Sequence, residues 1–276
     1  MSDKLKNLVH SLKAYGKIAI AFSGGVDSAF LAAVAKDTCG SSVAITVKSA
    51  FQSGQEAYNA VCMAEAIGIR HVVVQADVLG NSRIVKNTSE RCYFCKKMIF
   101  SLLTDRADEL GLKTIVHGAN VDDLADYRPG LRAAREMGVI APLLDAGLTK
   151  NEIRDLSRRA GLKTWNMDAQ SCLATRIPYG DTITLEKLEM VENGERVLGA
   201  LGFSGARVRF HGAVARIELK SQAVGQGLEM NKISEEKLRQ TVVESFKKIG
   251  FKYICLDLEG YVMGSMNRSL GDSFLK

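Results

Sequence analysis

No apolar run in this 276-residue chain approaches the length of a membrane-spanning helix. The opening Met1-Ser2-Asp3-Lys4-Leu5-Lys6 leads into an amphipathic stretch and has none of the layout of a secretory leader. Internal repeats and low-complexity segments are missing too, which excludes solenoids. Positive charge is never gathered into a stripe: the net charge is +6, and the densest patches are pairs such as Lys96-Lys97, Arg158-Arg159 and Lys247-Lys248. A nucleic-acid binder concentrates its cations, so a small anionic substrate is expected instead. What the chain does have is 46% hydrophobic and 25% charged residues, enough for a sizeable core under a polar surface. A cytoplasmic protein is expected, and with it six reduced cysteines: Cys39, Cys62, Cys92, Cys95, Cys172 and Cys255.

Apolar segments at Lys17 to Phe22, Ser42 to Val47, His71 to Gln75 and Thr114 to His117 alternate with helical periodicity over 3–15, Asp27 to Lys36, Gln55 to Ile67 and Arg91 to Leu110. Such alternation predicts a doubly wound α/β fold on a mainly parallel sheet. Thr149, followed by Glu152, marks a capping box opening a helix over 149–160. Beyond a loop from Thr164 to Gly180, a helix at 184–201, a hairpin at 206–219, a helix at 234–249 and a strand at 252–258 predict a smaller α+β domain. The expected boundary lies near Gly180, giving domains 1–180 and 181–276.

Between the first strand and helix runs Phe22-Ser23-Gly24-Gly25-Val26-Asp27-Ser28. Glycines there let backbone N–H groups turn toward an anion at a helix N-terminus, and Ser23 and Ser28 add hydroxyl donors. Asp27 would repel phosphate unless a cation intervenes, which points to Mg²⁺. The loop lacks the Gly-Lys-Ser/Thr of a Walker A sequence and the dinucleotide Gly-x-Gly-x-x-Gly. It resembles the PP-loop ATP pyrophosphatase superfamily, whose signature is Ser-Gly-Gly-x-Asp-Ser. The resemblance implies ATP cleaved between its α- and β-phosphates and an adenylated substrate. His117-Gly118-Ala119-Asn120-Val121-Asp122-Asp123 is similar to the superfamily's Gly-x-Asn-x-Asp-Asp element, implying Gly118, Asn120 and Asp123 beside the nucleotide and metal.

Arg91-Cys92-Tyr93-Phe94-Cys95-Lys96-Lys97 sets two thiols three positions apart at a helix start, among cations that favour thiolates. With Cys172 they make three cysteines. Zinc would want a fourth ligand, whereas three thiolates on a [4Fe–4S] cluster leave one iron open to carry sulfide. Cys39, Cys62 and Cys255 are expected to be buried packing residues. In the hairpin, Arg207 and Arg209 share one strand face, with Arg216 and Glu218 on the partner strand, so one face is cationic overall. It is either a solvated face or a phosphate clamp.

The segments Asp126-Tyr127-Arg128-Pro129-Gly130, Ser171-Cys172-Leu173-Ala174-Thr175-Arg176-Ile177-Pro178-Tyr179-Gly180, Arg207-Val208-Arg209-Phe210 and Ala215-Arg216-Ile217-Glu218-Leu219 together resemble the LarE family over nearly the whole chain. That resemblance implies an ATP-dependent sulfur transferase of nickel-pincer nucleotide biosynthesis, serving lactate racemase maturation. It implies a homo-oligomer, a hexamer. The substrate would be pyridinium-3,5-biscarboxylic acid mononucleotide, one carboxylate of which becomes a thiocarboxylate. The sulfur would come from sulfide or another donor through the three-cysteine cluster, or by sacrifice of Cys172 itself. Glu195 and Glu218 match acidic positions near the substrate, with Glu195 and Cys172 in catalytic roles; Arg128, Arg176, Arg207 and Arg209 are candidates for its anionic groups. Gly260-Tyr261-Val262-Met263-Gly264-Ser265 departs from the family's Gly-Tyr-Arg-Ser-Gly-Ser, so an anion-binding arginine is absent there. Three other functions stay open: a tRNA thiolase of the same superfamily, an amidotransferase-like ligase, and a non-catalytic nucleotide sensor.

Overall fold

The computed structural model describes residues 2–125, 129–168, 171–220, 235–262 and 264–270. They form two compact units, one of residues 1–84 and 90–170 and one of residues 85–89 and 171–276.

In the first unit, α1 (Asp3–Tyr15) leads into β1 (Lys17–Ala21), α2 (Val26–Thr38), β2 (Ser41–Ser49), α3 (Gly54–Ile67) and β3 (Arg70–Ala76). After α4 (Ser82–Val85), whose last residue belongs to the second unit, come α5 (Arg91–Glu109), β4 (Thr114–His117), α6 (Pro129–Glu136), α7 (Pro142–Asp145) and α8 (Lys150–Arg159). The four strands are all parallel, in the order β3-β2-β1-β4. Ile18, Ala19 and Ile20 in β1 are fully buried, so consecutive residues face core on both sides of the sheet. On one side Leu8, Leu12, Ala29, Leu31, Leu143 and Ile153 close over Ile18 and Ile20. On the other, α5 crosses β1, β2 and β3, and its Phe100 and Leu103 are buried. This is the doubly wound arrangement expected from the alternation. The chain order reverses between β1 and β4, and at such a switch point the loops leaving the strands' carboxyl ends diverge and open a crevice.

The capping box opening α8 is formed. Thr149 accepts from the Glu152 N–H, and Glu152 accepts from the Thr149 N–H at 2.9 Å. The short helices α4, α6 and α7 have no counterpart in the sequence reading.

The second unit holds α9 (Leu185–Ala200), β5 (Arg207–His211), β6 (Val214–Glu218), α10 (Glu236–Ile249) and β7 (Tyr253–Leu256). β5 and β6 are antiparallel and β6 and β7 parallel, which makes a mixed sheet. Its apolar face, with Val208 and Ile217, is buried together with Leu188, Val191, Leu198 and Phe246 of the helices. Gly180 lies within this unit, where its N–H donates to the Asn87 carbonyl at 3.0 Å. Among the described residues no helix is long and apolar enough to cross a membrane.

Candidate functional site

The loop between β1 and α2 is held open by its own polar groups. The Ser23 N–H donates to Ser28 Oγ at 3.2 Å, the two hydroxyls are 3.1 Å apart, and Ser28 Oγ donates to the Gly25 carbonyl at 3.2 Å. Gly25 caps α2 in extended conformation with no side-chain cap, so the first amides of the helix face the loop. Gly24 has φ +73°, and a Cβ there would sit 2.6 Å from the Ala60 Cα of α3. Sterics and handedness therefore both demand glycine. On the β4 side, a Cβ on Gly118 would come within 3.0 Å of the Ser28 amide nitrogen. Without a side chain there, the loop after β4 can lie against the start of α2.

That contact brings two acidic segments together. Asn120 is buried, and its side-chain carbonyl accepts from the Asp122 N–H at 3.0 Å. Asp123 accepts from the Asn120 N–H at 3.0 Å, closing a tight turn. Asp27 has one oxygen, Oδ2, ion-paired to Lys150 at the start of α8, and the other, Oδ1, buried without a hydrogen-bond partner. Burial raises the Asp27 pKa first of all, Asp123 raises it further, and Lys150 pulls the other way. A buried carboxylate oxygen with no donor lacks the partner that a cation would supply, and the glycine cradle beside it suits phosphate; the donor chemistry fits Mg²⁺ and ATP on both counts. Next to Gly118, burial holds His117 down at about 4, helped by Lys96.

Below the loop, Thr46 Oγ1 donates to the Phe22 carbonyl at 2.7 Å. Its one proton is thereby used, so His71 Nε2, 2.8 Å away, must donate to it. Thr46 also lines a cavity of about 340 Å³ with Lys48, Gly54, Tyr58, Val73 and Gln75. Neither Thr46, His71 nor Lys150 figured among the sequence candidates. Lys150 alone carried a local signal, because a cation at a helix N-terminus opposes the macrodipole and needs a nearby anion.

Cys92 and Cys95 sit on the first turn of α5, on one face at the i, i+3 spacing, and both are half-buried. The Arg91 guanidinium lies 3.8 Å from Cys92 Sγ. Two thiols at that spacing can face a common ligand. Cys172 belongs to the second unit, where it precedes the turn Leu173–Arg176. Among the described residues no three His, Cys, Asp or Glu side chains are gathered around one metal position. The other cysteines differ from expectation. Cys255 is exposed on β7, while Cys39 and Cys62 are half-buried, Cys39 donating its thiol to the Leu12 carbonyl.

In the second unit the arginines are well supplied with partners. Arg176 is buried and spends its guanidinium on Glu195, at 2.7 and 3.0 Å, and on the Ser171 carbonyl and hydroxyl, at 2.8 and 2.7 Å. It also reaches the Cys172 carbonyl at 3.3 Å, so it braces the backbone that carries Cys172. Glu195 accepts in addition from the Val208 N–H at 3.1 Å, and Arg207 stands 3.6 Å from it. Arg207 is mostly buried, and its pKa is lowered by burial first and then by Arg176. Glu218 is fully buried: Oε2 takes two hydrogen bonds from Arg209, at 2.9 and 2.6 Å, while Oε1 takes Ser265 Oγ at 3.0 Å and Arg216 at 3.1 Å. The charged hairpin face is therefore a buried ion-pair layer, which corrects the picture of a solvated face. The strand period says which residues share a side, and it is silent on what covers that side. Arg128 lies outside the described residues.

Comparison with known proteins adds a family match and three relatives. A family model described as asparagine synthase matches residues 2–102, the part that carries the glycine loop. An uncharacterized protein of Synechocystis is 40% identical over 98% of this chain and 99% of its own length. A pyridinium-3,5-bisthiocarboxylic acid mononucleotide synthase of Lactiplantibacillus plantarum is 35% identical over 98% of this chain and 96% of its own, and an uncharacterized protein of Methanocaldococcus jannaschii is 32% identical over 94% and 96%. With the loop geometry and near full-length identity in agreement, this chain belongs to the LarE family of ATP-dependent sulfur transferases, within the PP-loop ATP pyrophosphatases.

Proposed function

We propose that this cytoplasmic enzyme adenylates a carboxylate of pyridinium-3,5-biscarboxylic acid mononucleotide and replaces the activated oxygen with sulfur. The observation that carries this reading is the anion cradle of Ser23, Gly24, Gly25 and Ser28, next to a buried Asp27 oxygen that has no protein donor.

In this reading the cradle holds the ATP phosphates, with Gly118 and Asn120 shaping the opposite wall. The cavity beside Thr46 takes the flat base. Asp27 and Asp123 would hold Mg²⁺, which when bound draws charge from the pyrophosphate as it leaves. The substrate carboxylate oxygen attacks the α-phosphorus, the bond to the β-phosphate oxygen breaks, and an acyl adenylate forms. A sulfur nucleophile then adds at the acyl carbon and AMP departs with the original carboxylate oxygen. Arg128, Arg176, Arg207, Arg209 and Glu218 form the substrate-binding set, whose guanidinium groups suit the substrate's phosphate. Glu195 orients Arg176 and Arg207 near Cys172.

Cys92, Cys95 and Cys172 would hold a [4Fe–4S] cluster, which with three protein ligands keeps one iron open to sulfide. The helix-turn spacing of Cys92 and Cys95 supports that donor set, and sacrifice of the Cys172 sulfur is the alternative source. The active protein is a homo-oligomer.

The test is anaerobic incubation with ATP, Mg²⁺, sulfide and the dicarboxylate nucleotide, followed by mass spectrometry of product and protein. AMP, pyrophosphate and an oxygen-to-sulfur exchange are expected, with the chain mass unchanged and with iron lost on Cys92→Ala/Cys95→Ala substitution. Dehydroalanine at position 172 would assign the sulfur to Cys172. Release of ADP and orthophosphate, or indifference to ATP, would refute the reading.

A further inference from the structure

Lys150 is the first residue of α8, a place where the helix macrodipole disfavours a cation. The capping box there is complete without it. Its side chain nonetheless crosses to Asp27, 123 positions away in sequence, and its backbone N–H donates to Asp122. Arg154, the other cation bearing on Asp27, is tied by its guanidinium to the Trp165 and Met167 carbonyls at 2.6 and 2.7 Å. Lys150 is thus the direct charge partner of Asp27, and its side chain is 30% exposed. The carboxylate it holds is half-used, since Oδ1 is buried and accepts nothing.

A permanent structural pair would be expected to satisfy both oxygens, because a buried acceptor left without a donor is costly. A single flexible ammonium suits a different task. Its compact charge can leave a carboxylate for a phosphate, and its long stem lets it do so without backbone movement.

We infer that Lys150 is a placeholder cation: it neutralises Asp27 while the nucleotide is absent, yields that carboxylate to the metal when ATP arrives, and carries its charge to the phosphates. Asp27 then has a cation in both states, and the incoming polyphosphate gains one. Lys150 is in this sense a positioning residue for the adenylation step. The inference rests on the ATP reading given above.

Its signature is a pair of shifts with opposite sign. In the full-length Lys150→Gln protein, Mn²⁺ alone, followed by electron paramagnetic resonance without nucleotide, should bind about tenfold more tightly, because its competitor is gone. ATP titrated calorimetrically in EDTA should bind about tenfold more weakly, because a phosphate partner is gone. Lys150→Arg keeps the charge and should leave Mn²⁺ affinity near the wild-type value. Unchanged Mn²⁺ affinity in Lys150→Gln, or a loss of affinity for both ligands, would overturn the inference. Should that variant melt below the assay temperature, Lys150→Met is measured by the same two titrations against the same criteria. Wild-type protein that binds no ATP with or without Mn²⁺ would instead overturn the ATP reading itself.

Discussion

In the first unit a loop of backbone amides and two hydroxyls, the proposed anion site, lies beside a carboxylate with one oxygen that accepts no hydrogen bond. In the second, charged side chains engage one another: Arg209 and Arg216 with Glu218 on one sheet face, and Arg176, from the turn Leu173–Arg176, with Glu195 of α9. The contrast separates two uses of buried polarity. Unmet capacity costs stability and is retained where a ligand will meet it, whereas mutual satisfaction fixes a packing arrangement and leaves little for a newcomer. Arg209, for example, is committed to Glu218 and the Thr175 carbonyl.

The largest expected effect breaks the self-satisfied layer. Glu218→Ala leaves Arg209 and Arg216 without their shared carboxylate, and urea denaturation should register a loss of about 3–5 kcal/mol. Replacing Arg209 and Glu218 together by Met and Leu should restore most of that stability. Sulfur-transfer activity that survives the double change would mark Arg209 as structural, and its loss would draw Arg209 into substrate binding. Next comes the cradle. Gly24→Ala forces a Cβ toward the Ala60 backbone from a left-handed φ, and pyrophosphate release should fall about 10²-fold while the fold persists. Wild-type turnover in that variant would mean the loop geometry is not what grips ATP.

The smallest effect concerns Asp27 and carries a sign. Its folded-state pKa lies above the unfolded one, so the fold favours the neutral form. That contribution is present at low pH and is lost as pH rises through the folded pKa. Asp27→Asn should therefore make the nucleotide-free protein slightly more stable at neutral pH and flatten the acid limb of its pH–stability curve, as urea denaturation across the acid range would show. A variant that is less stable at neutral pH would show Lys150 outweighing burial.

The cradle was legible in sequence because its parts fall within six consecutive residues and because strand, loop and helix each have their own period. The Thr149–Glu152 capping box was equally local. The Lys150–Asp27 pair spans 123 positions and the Arg176–Glu195 pair 19, and no periodicity links residues whose meeting depends on how elements pack. The burial of the ion-pair layer was not legible for a related reason. Alternation placed Arg207, Arg209, Arg216 and Glu218 on one side, but Ser265 and the Thr175 carbonyl, which help to close over it, come from distant irregular segments. Helices as short as Pro142–Asp145 span barely one turn, too little for a period to appear.

The five residues from Val85 to Ser89 belong to the second unit although they interrupt the first. Asn87, buried with φ +53°, donates its amide to the Ile177 and Pro178 carbonyls at 3.2 and 2.7 Å. The chain therefore crosses between units three times, and the smaller unit cannot be excised, or exchanged with a relative's, at a single cut. A fragment ending before Ser171 would retain Asn87 with neither of those acceptors, and a fragment beginning there would have those carbonyls without their donor.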